Sequence, residues 1–293
     1  MIVEPTVETT TDPSVISTEN GHSRMPGGSL NHRIHQTLDR VESLGKLLEV
    51  DEAYDKPTLD FDIPADFSLS VVIPVYNEQD TIAETIARVR SLPVPTEIII
   101  VDDDSSDGTR HYLQQIAMVE GIRVVLKPRN QGKGAALRTG FAHAQGTVVA
   151  IQDADMEYDP RDLLPLIRPI LEGSADVVYG SRFASKSNIG SSLWHRMGNR
   201  VLTIASNLFT GLRLTDMETC YKVFRRGVLE NIVLRQERFG FEPEFTAKIA
   251  RQRFRVTELP ISYCPRSWDA GKKIGVKDGL NALYCVVRYG LFK

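Results

Sequence analysis

The stretch Ala150-Ile151-Gln152-Asp153-Ala154-Asp155-Met156-Glu157 ends an apolar run in two carboxylates one residue apart. Residues i and i+2 of an extended chain share a face, so Asp153 and Asp155 address one point, with Glu157 a step beyond. Hard carboxylate oxygens suit Mg²⁺ or Mn²⁺, shared with the phosphates of a substrate. Asp153, Asp155 and Glu157 are therefore the expected metal ligands. Asp-x-Asp alone is also common in solvated loops, so its weight depends on its surroundings.

Those surroundings repeat one theme. Pro74-Val75-Tyr76-Asn77-Glu78, Asp102-Asp103-Asp104, Asn130-Gln131-Gly132-Lys133-Gly134 and Gly180-Ser181-Arg182 each follow a short β-rich run. The runs are Leu69–Tyr76, Glu97–Asp103, Ile122–Lys127, Thr147–Ala154 and Ala175–Gly180. Helical spacing over Thr81–Leu92, Gly108–Val119, Gly132–Gln145 and Pro160–Glu172 separates them, with Asp80 as the expected cap of the first. Nearly continuous apolar strands alternating with helices predict an α/β fold with a mainly parallel sheet covered on both faces. Such sheets bind ligands at the carboxyl ends of their strands, where these polar motifs fall. Gly132-Lys133-Gly134 is not a P-loop, since it lacks the earlier glycine and the Ser/Thr after lysine. Its glycines are read as permitting close backbone approach, with Lys133 near a phosphate. Ser106 or Asp107 can simply cap the following helix.

The 293 residues are 42% hydrophobic and 25% charged, enough for one large domain and an extension. No apolar run is long enough for a spanning helix, and residues 1–28 read as disordered. One helix is expected over Leu30–Val50, then an acidic linker to Phe67. The division expected is 1–67, an acidic extension, and 68–293, the catalytic domain. The net charge of −3 conceals 13 acids against 5 bases in 1–66, and 14 bases against 6 acids in 181–255. The basic stretch suits a phosphorylated or anionic-membrane partner, and no nucleic-acid partner is expected. Cys220, Cys264 and Cys285 form neither a zinc pattern nor a disulfide framework and read as small buried hydrophobes in a reducing cytosol.

The motifs at 70–78, 102–104, 153–155 and 180–182 resemble the inverting glycosyltransferase family 2, with its GT-A fold. Within it the chain is similar to polyprenyl-phosphate sugar synthases of the dolichyl-phosphate mannose and glucose types, over about residues 68–293. The resemblance implies that Pro74, Tyr76, Glu78, Ile100 and Asp102 hold the base and ribose of a nucleotide sugar, and Asp103, at the same strand end, is placed to meet them as well. It implies that Asp153, Ala154, Asp155 and Glu157 hold metal and diphosphate, though mannose synthases usually carry Gln at the last position. Arg182 would reach phosphate, while Arg266 and Lys272 would close over the diphosphate. The donor would be UDP-glucose or GDP-mannose, with a weak lean to the former from Asp216-x-Glu218-Thr219-Cys220-Tyr221-Lys222 and Gly271-Lys272-Lys273-Ile274.

Breaking a sugar–diphosphate bond leaves negative charge on the nucleotide, which a divalent ion, Arg and Lys neutralise as it develops. A lipid monophosphate acceptor, with a second pKa of about 6, is already a nucleophile at neutrality. A hydroxyl acceptor would need a base, and Asp216 is the candidate; its other reading is a carboxylate that orients a basic neighbour. Asp155, Asp216 and Arg182 are the expected catalytic residues. In 188–214, Leu193, Met197, Val201, Ala205, Leu208 and Leu212 recur at helical spacing beside Trp194, Arg196 and Arg200. That is either a helix in a membrane interface or an ordinary core-facing one. With a lipid acceptor, Arg182, Arg196 and Arg200 would meet its phosphate, the second of a pair of amphipathic segments being Gly279–Phe292. The chain would then work as a peripheral protein at the cytoplasmic face of a membrane. Glu242 and Glu244 are read either as helix-start acids or as facing the sugar or a bound arginine.

Overall fold

The computed structural model describes residues 37–45, 57–184, 193–266 and 276–291. The expected disorder in 1–28, both ends of the 30–50 helix and Lys272 lie outside them. Residues 37–45 form helix α1. A seven-stranded sheet follows, ordered β3-β2-β1-β4-β6-β5-β7. Its strands are β1 (Leu69–Val75), β2 (Thr96–Asp102), β3 (Ile122–Leu126), β4 (Val148–Ile151), β5 (Val177–Ser181), β6 (Lys222–Arg225) and β7 (Val256–Pro260). The helices are α2 (Ile82–Arg90), α3 (Thr109–Ile116), α4 (Lys133–His143), α5 (Leu163–Leu171), α6 (Leu193–Thr210), α7 (Gly227–Glu230), α8 (Phe241–Arg251) and α9 (Val276–Leu291).

The four strands β3-β2-β1-β4 run parallel, as does the β5–β7 pair. Strand β6 runs antiparallel between β4 and β5 and was not expected. Its four residues, Lys-Val-Phe-Arg, are too few and too charged at the ends to register as a strand. The central strands are buried on both faces, β4 completely, which is why their sequences are apolar without alternation. Strand order reverses at β1, between β2 and β4, the switch point at which such sheets leave a crevice, and Tyr76–Glu78 and Asp153–Asp155 follow the two strands there.

Two local expectations change. The first residue before α2 is Thr81, not Asp80, and no side chain caps that helix end. Cys220 and Cys285 are buried, but Cys264 is exposed.

Helix α4 lies on β1 through Gly140, where an added Cβ would meet the Val72 Cγ1 methyl inside van der Waals contact. In an exposed helix Gly→Ala gains about 1 kcal/mol, whereas overpacking a core costs about 1–3 kcal/mol. Val72 is fully buried and has nowhere to move. Gly140→Ala is therefore expected to lower the guanidinium midpoint at unchanged slope, by about 1–2 kcal/mol in stability. A raised midpoint would mean that helix propensity outweighs packing here.

Candidate active site

The loops after β1, β2 and β4 meet at the carboxyl edge of the sheet. Three non-glycine residues there have positive φ: Asn77 at 54°, Asp104 at 68° and Met156 at 61°. Asn and Asp tolerate that region through local hydrogen bonds; for Met it is a strained choice, made between Asp155 and Glu157. The first two loops are stitched together. Asn77 Oδ1 accepts from the Ser106 amide at 2.8 Å, the Asn77 amide donates to Ser105 Oγ at 2.9 Å, and the Glu78 amide donates to Thr109 Oγ1 at 2.9 Å. Asp107 accepts from the Thr109 amide at 3.1 Å in a local turn, but the cap position of α3 is Gly108, so neither Ser106 nor Asp107 caps the helix as expected.

The acidic triplet is spent on this scaffold. Asp102 is fully buried and accepts from Arg110 Nε at 2.6 Å and from the Ser105 amide. Asp103, equally buried, takes the Lys127 ammonium and the amides of Gln131 and Gly132. Ile100 is buried, while Tyr76 is 38% exposed at the rim and Pro74 half-buried beside it. Of the residues expected at the base and ribose, Tyr76 is thus the one that presents a large open surface.

Lys133 opens α4 and turns to the acidic stretch. Its Nζ lies 2.8 Å from Asp153 Oδ1 and 3.6 Å from Glu242 Oε1. Burial works against its charge, but Asp153 outweighs it and holds the ammonium well above the usual lysine range. The glycines around Lys133 do permit close approach, by the chain's own 236–238 segment. A Cβ on Gly134 would strike the Gln236 carbonyl at 2.5 Å, and the Ala135 amide already donates to Glu237 O at 3.0 Å. The start of α4 is therefore filled by protein.

Glu157 is not turned to Asp153. Its carboxylate accepts from Tyr263 Oη at 2.8 Å and from the Arg266 amide at 3.0 Å. The Arg266 guanidinium donates to Glu78 Oε2 at 2.6 Å and to the Asp155 carbonyl at 2.8 Å. Among the described residues no three acidic, His or Cys side chains gather closely enough to hold an ion unaided. The three-ligand set expected over Asp153, Asp155 and Glu157 is thus not assembled as one cage. Asp155 nevertheless fits a cation. Burial, then the charges of Asp153 and Glu157, push its carboxyl up to about 7, a sign of negative charge without enough compensation. Asp155 and Asp153 would hold a divalent ion together with diphosphate oxygens, as suits Mg²⁺ or Mn²⁺.

On the other side of the crevice, Arg182 and Asp216 make a two-pronged pair, Nε–Oδ2 2.7 Å and Nη2–Oδ1 2.8 Å. Asp216 is fully buried and also accepts from the Arg182 amide at 3.1 Å and from Asn199 Nδ2 at 3.0 Å. Desolvation opposes the Arg182 charge, and Asp216 more than restores it. The guanidinium lies 5.3 Å from the Tyr263 ring and 5.6 Å from Phe183, whose ring also lies 5.9 Å from Arg196. Arg182 and Arg196 are so brought together through Phe183. Arg200 sits exposed one turn along α6.

Sequence reasoning missed Asn199 and Tyr263, which complete this clamp, and Lys222. Lys222 is fully buried, its Nζ donating to Met217 O at 3.3 Å and to Thr219 O, and burial draws its pKa down. A polar Asn199 amid the apolar residues of α6 was the available signal. Glu244 is settled as structural, since it accepts from the Arg235 and Gln236 amides and Lys248 Nζ. Two cavities, of about 230 and 310 Å³, lie away from the strand ends; Lys248, Arg251 and Tyr289 line one, Gln236, Arg238 and Asn281 the other. The second lies behind the 236–238 segment that packs on the start of α4.

A family model, glycosyl transferase family 2, matches residues 70–233. The chain is a member of glycosyltransferase family 2. Its relatives include the undecaprenyl-phosphate 4-deoxy-4-formamido-L-arabinose transferases of Edwardsiella ictaluri, 32% identical, and of Aeromonas hydrophila, 30% identical. Each match covers 75% of this chain and 66% of the relative, so the chain spans just under two thirds of their length. Among solved structures, glucosyl-3-phosphoglycerate synthase from Mycobacterium tuberculosis, with Mn²⁺, UDP and phosphoglyceric acid, superposes with a TM-score of 0.60. It is 18% identical, with 84% of this chain and 83% of that one covered. The same enzyme with UDP alone gives 0.59 at 20% identity, over 82% and 87%. At these identities the likeness shows the fold, which is the expected GT-A arrangement, α/β and mostly parallel.

Because a cation competes with the proton on Asp155, the affinity for Mn²⁺ in the presence of UDP is expected to be proton-linked. It should be level above about pH 7 and fall towards about tenfold per unit below it. Calorimetric titration across pH 5.5–8.5 reads this. Asp155→Asn should flatten the dependence and weaken binding, and an unchanged profile in that variant would assign the proton elsewhere.

Proposed function

We propose that the chain moves a sugar from a uridine-diphosphate sugar, UDP-glucose first among candidates, to a polyprenyl phosphate at a membrane surface, with inversion at the anomeric carbon. One observation carries the choice of acceptor. Both oxygens of Asp216 are occupied, by Arg182 twice over, by Asn199 and by the Arg182 amide. A base must have a lone pair facing the acceptor proton, and Asp216 has spent its own on holding a cation. That supports an acceptor that arrives already ionised and needs a positive clamp instead. The relatives named for undecaprenyl phosphate support the same reading, although their sugar is a pentose.

The residues divide the work. Tyr76 offers a face to the base, and Lys133 and Arg266 flank the acidic crevice where the diphosphate would sit. A divalent ion on Asp155 and Asp153 would neutralise charge on the leaving nucleotide. Arg182, held flat by Asp216 and two aromatic rings, would orient the lipid phosphate for attack from the opposite side, with Arg196 beside it.

Helix α6 supports a membrane surface because it is turned inside out. Met197, Val201, Ile204 and Leu208 are exposed, Leu208 by 80%, while Thr203 and Ser206 are buried. On α9, which packs against α6 where Gly290 meets Phe209, Leu280, Tyr284 and Leu291 are exposed as well. A joint apolar face flanked by Arg196 and Arg200 suits a helix pair lying in a bilayer interface. Among the described residues no helix is long and apolar enough to cross a membrane.

Purified protein with Mn²⁺, undecaprenyl phosphate in vesicles and a panel of labelled donors (UDP-glucose, GDP-mannose, a UDP-pentose) is expected to place label from a UDP-sugar in the organic extract. Label that stays aqueous for every donor would sink the proposal. Asp216→Asn should keep lipid transfer within about tenfold in kcat while KM for the lipid rises about tenfold or more. Complete loss with donor hydrolysis intact would instead make Asp216 a base. Leu208→Asp and Leu280→Asp should each weaken co-sedimentation with anionic vesicles by about tenfold or more, as expected for withdrawing a buried leucine.

A further inference from the structure

Two carboxylate oxygens beneath the crevice have no hydrogen-bond partner among the described residues, Glu242 Oε2 and Glu218 Oε1. Leaving a buried acceptor unmet is costly, and in folded proteins such groups are rare enough to need a reason. Neighbouring acids show that this chain can satisfy a buried carboxylate when only structure is at stake. Glu244, two residues along the same helix, has amide and ammonium donors on both oxygens. Glu242 is 4% exposed, yet one of its oxygens faces the Lys133 ammonium and the other accepts no hydrogen bond among the described residues, although the buried Lys222 charge is close enough to act on the carboxylate.

Their location narrows the reason. Lys133 bridges Asp153 and Glu242, so Glu242 stands next to the residues that would hold the diphosphate. Glu218 sits two residues from Asp216, which grips Arg182 at the acceptor side. Between a leaving diphosphate and an attacking phosphate lies the transferred sugar, and the groups it offers to a protein wall are hydroxyls. A hydroxyl donates well to a carboxylate oxygen. We propose that Glu242 and Glu218 form the wall of the sugar subsite, each with its unpartnered oxygen accepting from a hydroxyl of the transferred sugar. Burial, then the charge of Glu242, pushes Glu218 up to about 8. This inference rests on the donor reading above and adds to it the residues that select the sugar rather than the nucleotide.

The test separates sugar from nucleotide. Calorimetry with Mn²⁺ compares UDP and UDP-glucose (or whichever UDP-sugar labels lipid in the donor panel) for the parent, Glu242→Gln, Glu242→Ala and Glu218→Gln. UDP is expected to bind all four with affinity within about twofold, whereas the UDP-sugar weakens about 10- to 100-fold in the Glu242 variants and about tenfold in Glu218→Gln. Glu242→Gln also removes the charge beside Lys133 and is expected to melt somewhat lower, and parental UDP affinity shows that it is folded. Equal weakening of UDP and UDP-sugar would show that Glu242 acts through Lys133 on the diphosphate, and unchanged binding of both would show that it faces away from the donor. Either result overturns the proposal while leaving the donor reading intact. A parent that binds neither ligand would overturn both.

Discussion

A charge taken out of water needs an opposite charge or several hydrogen bonds beside it, and the carboxyl edge of this sheet is arranged around that requirement. Asp216 meets it with Arg182 and Asn199, Asp103 with Lys127 and two amides, and Asp102 with Arg110. These pairs fix loops that would otherwise be free to move. Arg182 is held in one plane because both oxygens of its partner are aligned with it, and single-point contacts would not do that. Lys133 is the contrast. It has two acids within reach, and one of them, Glu242, remains half satisfied. The scaffold carboxylates are closed, though Asn199 Oδ1 in the clamp is itself without a partner among the described residues, and the two glutamates nearer the crevice each keep one open oxygen.

The same accounting explains the raised Asp155 carboxyl. Neighbouring Asp153 is drawn to Lys133 and Glu157 to Tyr263 and the Arg266 amide, so each has partners of its own. Asp155 has the Glu157 amide, at 3.2 Å, and the Arg266 charge, which do not offset burial and the charges of Asp153 and Glu157. Strained backbone at Met156 turns the chain so that these acids diverge instead of forming one cage. An ion placed here would depend on oxygens from elsewhere, and a diphosphate supplies them.

Helix α6 joins two demands on one element. Its inner face mixes Leu202 and Ala205, packed on the core, with polar side chains, because Asn199 and Thr203 serve Asp216 and the Met217 amide. With these hydrogen-bonding groups facing in, Met197, Val201, Ile204 and Leu208 face out, beside the apolar side chains of α9. The helix that helps to hold the Arg182 clamp is thereby the helix with the exposed apolar surface. A phosphate at the head of a membrane lipid would meet both at once.

Much of this was legible in the chain itself. The apolar runs at 69–75, 98–102, 148–151 and 177–181 declared strands because burial on both faces leaves no room for polar residues, while the edge run at 122–126 alternates, with Arg123 exposed. The motifs at their ends followed, since a parallel sheet brings those ends to one edge. What stayed hidden has a common cause. Strand β6 exists only because β4 and β5 stand far enough apart to admit it. Whether α6 turned its apolar stripe inward or outward depended on where the loop after it placed Asp216. Gly132 and Gly134 owe their identity to the 236–238 backbone, and Glu242 its open oxygen to what Lys133 reaches. Residue types and local spacing determine which elements form and what chemistry they carry. Which partner satisfies each buried charge, and which oxygen is left over, is decided where segments a hundred residues apart exclude water together.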